Sequence, residues 1–165
     1  MILISHRGNL NGKQPDNENH PDYILRAITA GYDVEIDVWF VDGKFKLGHD
    51  EPIYDFPFKL LENNFQKLWI HCKNIDAIVA LNEFPNENLL NYFFHQEDDI
   101  TLTSKGYIWA YPGKQPIKNS IAVKPELNED DFFLIKKNNT PNSKLNKEDL
   151  TQAIGICSDY IENYK

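Results

Sequence analysis

Two cysteines and one methionine are the only sulfur-bearing residues in this 165-residue chain. Cys72 and Cys157 each fall in an expected strand, so they read as buried free thiols. Neither a disulfide framework nor a cysteine-based zinc site is expected. No apolar run approaches the ~20 residues that a membrane-spanning helix needs. MILISHRGN, at the start, has no basic leader followed by a long apolar region, so no secretion signal is expected and a cytoplasmic protein is the default. An excess of positive charge is also missing. The net charge of −8 and pI near 5.0 argue against general nucleic-acid binding, but leave room for a basic pocket around one phosphate. No amphipathic basic helix is present, so stable membrane association is not expected. Without an internal repeat or a long linker, residues 1–165 read as a single domain.

The chain is 41% hydrophobic and 13% aromatic, enough to bury a core. Short apolar runs predict strands near 2–5, 34–40, 44–48, 68–72, 91–95, 107–111, 120–124 and 154–158. Helices are expected near 20–30, 58–66, 74–83 and 146–153, the last opened by Asn146 as N-cap. In the first helix Tyr23, Ala27 and Ala30 share a face, and Gly31 follows as a C-cap. Asp42-Gly43 is a two-residue hairpin turn signal. Residues 127–145 stay ambiguous between strand and helix, with NNTPNSK (138–144) as loop. Strands alternating with helices imply a mainly parallel α/β sheet.

Strands of such sheets are usually apolar on both faces. Here they are not. In DVEIDVW (33–39), Val34, Ile36 and Val38 alternate with Glu35 and Asp37, which puts two carboxylates roughly 6.5–7 Å apart on one face. In LWIHCKN (68–74), His71 and Lys73 share the face opposite Leu68, Ile70 and Cys72. His6, Arg7, Asp37, Lys73, His95 and Lys124 all fall at the C-terminal ends of expected strands. Barrels and open α/β sheets place their active sites there. Each residue alone has a plain reading: an edge-strand charge pair, a satisfied core histidine, a solvated lysine. Six converging residues suggest a pocket. Trp109 and Tyr111, in YIWAYPGK, read as packing residues ahead of a substrate platform.

The ordered set ISHRGN (4–9), EN (18–19), AGYDVEIDVW (30–39) and GKFKLGHDEP (43–52) resembles the glycerophosphodiester phosphodiesterase family, within the phospholipase-C-like phosphodiesterases. LWIHCK (68–73) resembles the family's third-strand E-x-K, with His71 where an acidic ligand usually stands. Asn17 occupies the position of the family's proline before Glu18, and the chain is shorter than typical members. The resemblance implies a short, distorted (β/α)8 TIM-type barrel with trimmed helices. It also implies metal-dependent hydrolysis of a small glycerophosphodiester-like substrate. By carry-over, Glu35, Asp37 and His71 would hold a divalent cation: magnesium, calcium, manganese or zinc. His6 and His49 would be the acid–base pair, and Arg7, Lys73 and Lys124 would bind phosphate. Two alternatives stay open: a phosphodiester- or sugar-phosphate-binding protein without turnover, and a lyase that stops at a cyclic phosphate.

Overall fold

Alternation of apolar and polar residues builds strands where the sequence predicts them. The computed structural model describes residues 1–85, 89–112, 114, 117–126 and 149–165. In chain order its elements are β1 (Ile2–His6), α1 (Pro21–Thr29), β2 (Asp33–Val41), β3 (Lys44–Leu47), β4 (Tyr54–Asp55), α2 (Phe58–Asn64), β5 (Leu68–Cys72) and α3 (Ile75–Asn82). They continue with β6 (Asn91–Phe94), β7 (Ile100–Leu102), β8 (Ile108–Ala110), β9 (Ser120–Val123) and β10 (Gly155–Ser158). The strands β4 and β7 lie outside the expected set; at two and three residues they are too short to show a period. Of the helix expected at 146–153, a 3-10 turn over Asp149–Gln152 is seen. The readings of Asn146 as N-cap and of 127–145 fall outside the described residues.

Local chemistry explains the helix ends. His20 caps α1, its ring nitrogen accepting from Asp22 N, and Pro21 takes the first helical position, where no N–H is needed. Tyr23, Ile24 and Ala27 are buried, and Gly31 follows the cap at φ +98°. Asn74 caps α3: its Oδ1 accepts from Ala77 N and Phe40 N, while its Nδ2 donates to Phe40 O. That side chain ties the helix to β2. Asp42 and Gly43, at φ +51° and +73°, form the tight turn expected between β2 and β3.

The expected (β/α)8 barrel does not form. The chain makes a curled mixed sheet, a half-barrel of ten strands with only three short helices among the described residues. Strand order runs β4-β3-β2-β1-β10-β9-β8-β7, with β5 and β6 branching from β2. Six pairings are parallel: β1–β10, β1–β2, β10–β9, β2–β5, β5–β6 and β8–β9. The pairs β2–β3, β3–β4 and β7–β8 are antiparallel. The physical reason for the difference is connection length. A crossover helix needs a dozen or more residues. The stretch from Ala110 to Ser120 is shorter, and β7 occupies the stretch between β6 and β8 as an antiparallel hairpin strand. β6 and β7 meet without a ladder: Ser104 N donates to Tyr92 O at 2.7 Å, and Thr101 Oγ1 donates to Phe94 O at 3.1 Å.

Curling gives the sheet two buried faces. On the outside, Val34, Ile36, Val38, Ile70 and Cys72 pack against Ile24, Ala27, Ala77 and Leu81 of α1 and α3. On the inside, Ile4, Trp69, Phe93, Trp109, Ile121, Val123 and Cys157 fill the concave side. Trp109 of β8 lies 4.6 Å from Phe93 of β6 and 5.9 Å from Trp69 of β5, ring centre to ring centre. Both cysteines are buried and free. No helix among the described residues is long and apolar enough to cross a membrane.

Candidate functional site

Side chains on one face of a strand recur every second residue. One step beyond the inner apolar layer, the same face turns polar: Ile4 gives way to His6, Trp69 to His71, Phe93 to His95, Trp109 to Tyr111 and Cys157 to Asp159. Of these, His6, His71, His95 and Tyr111 rim a cavity of about 450 Å³ at the C-terminal ends of the parallel strands. His6, Arg7, Glu35, His49, His71, Lys73, His95 and Lys124 line it; Asp37 is fully buried.

Strand register assembles the acidic centre. His6 pairs with Glu35 across β1 and β2, and Asp37 with His71 across β2 and β5. Glu35, Asp37 and His71 each offer one ligand atom, and these atoms lie within 4.8 Å of one another. The residues fit a cation on three counts. Glu35 Oε2 is buried without a hydrogen-bond partner. Burial, then the neighbouring Asp37 charge, pushes the Glu35 carboxyl well above its usual range, which a cation would reverse. His71 Nδ1 bonds Asp37 Oδ1 at 3.0 Å and lies 3.8 Å from Glu35 Oε1, while its Nε2 can donate to the carbonyl of His95 at 2.9 Å, which leaves Nδ1 able to exchange its proton for a cation. Glu35 and Asp37 thus aim carboxylate oxygens at one point, where the His71 proton or a metal ion can sit. This group can therefore hold a metal ion. Stacking on Phe93, ring centres 5.1 Å apart and planes 6° off parallel, fixes the imidazole plane.

Asp37 is held from behind. Asn19 accepts from Asp37 N at 2.9 Å and donates to its Oδ2 at 2.9 Å. Arg7 Nε lies 2.8 Å from the same oxygen, an ion pair whose N–H is not aligned for a hydrogen bond. Burial alone would raise the Asp37 carboxyl; Arg7, then His71 and Lys73, hold it well below the usual carboxylate range. Arg7 also donates to Glu18 at 3.2 Å. Its φ of +55° turns the chain sharply out of β1, and Gly8 follows at φ +91°. A Cβ on Gly8 would lie 2.5 Å from the ring of Tyr23, so this turn needs glycine.

A second cluster orients His6. Its Nδ1 bonds Asp159 Oδ1 at 2.6 Å, and its Nε2 lies 3.8 Å from Glu35 Oε2. Burial, only partly opposed by Asp159, lowers the His6 ring to about 4, so it is neutral at pH 7. With Nδ1–H given to Asp159, Nε2 is left as an acceptor. Asn9 Nδ2 also donates to Asp159 Oδ1 at 2.8 Å, and Lys124 Nζ lies 3.1 Å from Oδ2. Burial would raise the Asp159 carboxyl, but His6, Lys124 and Asn9 hold it well below the usual range.

The sites read from the sequence thus meet in one place, with two changes of emphasis. Each of the three cations already faces a carboxylate: Arg7 and Lys73 face Asp37, and Lys124 faces Asp159. His49 is the most open of the set; its Nδ1 bonds Asp50 at 2.7 Å and burial lowers its ring. Comparisons with known protein families, curated proteins and solved structures give no match. Function must therefore be read from these residues. Asp159 is the residue the sequence reading missed. Its signal was present, because it stands two residues beyond the inward-facing Cys157, as His6 stands beyond Ile4. Asn9 and Asn19 had no such signal, since their roles depend on contacts with β10 and β2.

Proposed function

We propose that this protein is a metal-dependent phosphodiester hydrolase acting on small glycerophosphodiester-like substrates. The observation that carries the reading is a three-residue cation site opening on the same cavity as a neutral histidine held by a buried aspartate. Resemblance of residues 4–52 to glycerophosphodiester phosphodiesterases supports it independently.

The chemistry follows from what each side chain presents. An oxygen attacking phosphorus must lose a proton, and the departing alcohol must gain one. His6, neutral and with Nε2 open, takes the first proton, while Asp159 holds its Nδ1–H and stabilises the imidazolium that results. His49, which lines the same cavity closer to solvent, delivers the second after taking it up from water. A cation on Glu35, Asp37 and His71 would neutralise charge on the phosphate oxygens. Two carboxylates and an imidazole suit manganese or zinc better than magnesium or calcium. Arg7 and Lys73 add positive charge beside the phosphate; Lys124 acts through Asp159.

The test is a metal-by-substrate panel on chelated protein, using glycerophosphodiesters and a generic aryl phosphodiester with added magnesium, calcium, manganese or zinc. Turnover restored by one metal, with a phosphomonoester as product, is expected. A cyclic phosphate as end product would make the protein a lyase. No turnover under any combination would overturn the reading.

A further inference from the structure

Tyr111 takes no part in the chemistry above, yet it lines the same cavity. The two aromatic residues of YIWAYPGK have different fates. Trp109 is absorbed by the inner core against Phe93 and Trp69. Tyr111, one step further along the face, stays partly open. Its ring meets the His95 ring edge-on, 5.3 Å between centres and 62° between planes. His95 is fixed in turn by a hydrogen bond from its Nε2 to the Asp98 carbonyl. Tyr111, His95 and Pro112 thus line part of the cavity that His6, Glu35 and His71 also line.

A second cavity of about 520 Å³ shares Arg7 and His49 with the first, and its walls include Lys13, Asp50, Glu51 and Tyr54. A diester with its phosphate at the Arg7–His49 boundary would send its two alcohol arms into two separate cavities. The first, at about 450 Å³, is in the range that holds whole small molecules and exceeds what a phosphate group needs.

We propose that Tyr111, held beside His95, seats a planar, ring-bearing alcohol arm of the substrate in the first cavity, which makes Tyr111 a specificity-determining residue. This rests on the phosphodiester reading above. Ring stacking is the attraction that a flat arm gains there and an alkyl arm does not.

Calorimetric titration of manganese-loaded protein with phenyl phosphate and with methyl phosphate tests it without requiring turnover. Phenyl phosphate should bind roughly tenfold more tightly. Tyr111→Ala should abolish that preference, and Tyr111→Phe, which keeps the ring face, should retain it. Equal affinities in the unmodified protein, a preference that survives Tyr111→Ala, or binding of neither ester would overturn the proposal. Preferential phenyl binding without turnover of any diester would leave this inference standing and remove the hydrolase reading. Turnover of diesters with equal affinity for the two esters would do the reverse.

Discussion

Glu35 Oε2 is buried without a donor and lies beside a second carboxylate, which makes Glu35 the most informative position for the metal. Replacing it by glutamine removes a charge that is costly without a cation and necessary with one. Glu35→Gln is expected to leave the melting temperature of chelated protein unchanged or higher. The rise on adding manganese, present in the unmodified protein, should largely disappear. Thermal melts with chelator and with manganese check this, and an undiminished manganese shift would remove Glu35 from the coordination shell. Asp159 tests the acid–base side. Its carboxylate can only accept from His6 Nδ1, whereas an asparagine amide can donate to it and move the ring proton to Nε2. Asp159→Asn should therefore lower kcat by roughly 10²–10⁴-fold with a smaller change in KM. A KM effect alone would mean that Asp159 shapes binding and not proton transfer.

Among the elements, the segment between β1 and α1 shapes the site most directly. It leaves β1 through Arg7 and Gly8 at positive φ, returns through Asn19 at φ +63°, and sends Asn19 under Asp37. Asn19 is fully buried, so truncation strands Asp37 N and leaves Asp37 Oδ2 to the Arg7 ion pair alone. Asn19→Ala is expected to cost about 2 kcal/mol in denaturant unfolding and to weaken metal binding as well. Loss of stability with metal affinity intact would show that Arg7 and His71 suffice to place Asp37. The strand periods were readable because each strand meets apolar packing on its outer face. The two-residue step to a polar inner residue was readable for the same reason. The partners of Asn9 and Asn19 were not, since a loop asparagine has no period.

For the whole molecule, burial of ionisable groups sets the dependence of stability on pH. His6 titrates at about 4 when folded, against about 6.5 when unfolded. Between those values the unfolded chain binds more protons, so the contribution of His6 is complete above about 6.5 and is lost as pH falls toward 4. Asp37 and Asp159, held low, add losses further into acid, while Glu35 and Glu126, held high by burial, act with the opposite slope. Comparison with a variant isolates the histidine. Between pH 7 and pH 5, chelated unmodified protein should lose about 2 kcal/mol more than His6→Gln in denaturant unfolding. Parallel curves would mean that the ring is protonated in the folded protein.

The sequence by itself determined eight strands, three helices, the Asp42-Gly43 turn and the face on which the candidate site lies. These follow from local periodicity, capping and turn residues, which act over a few positions. It did not determine how the sheet closes. Alternating strands and helices suggested a mainly parallel sheet and the family resemblance a ring of βα units, but the short stretch between β8 and β9 and the antiparallel β7 leave a curled half-barrel instead. Only tertiary structure could bring Asp159, 153 residues away in the chain, within 2.6 Å of His6. The same holds for the way the site cations are used: Arg7, Lys73 and Lys124 read as free phosphate ligands in sequence, and folding sets each beside a buried carboxylate. Charges withdrawn from water must find partners nearby, and which partners are near is decided by strand register and curl, not by residue order.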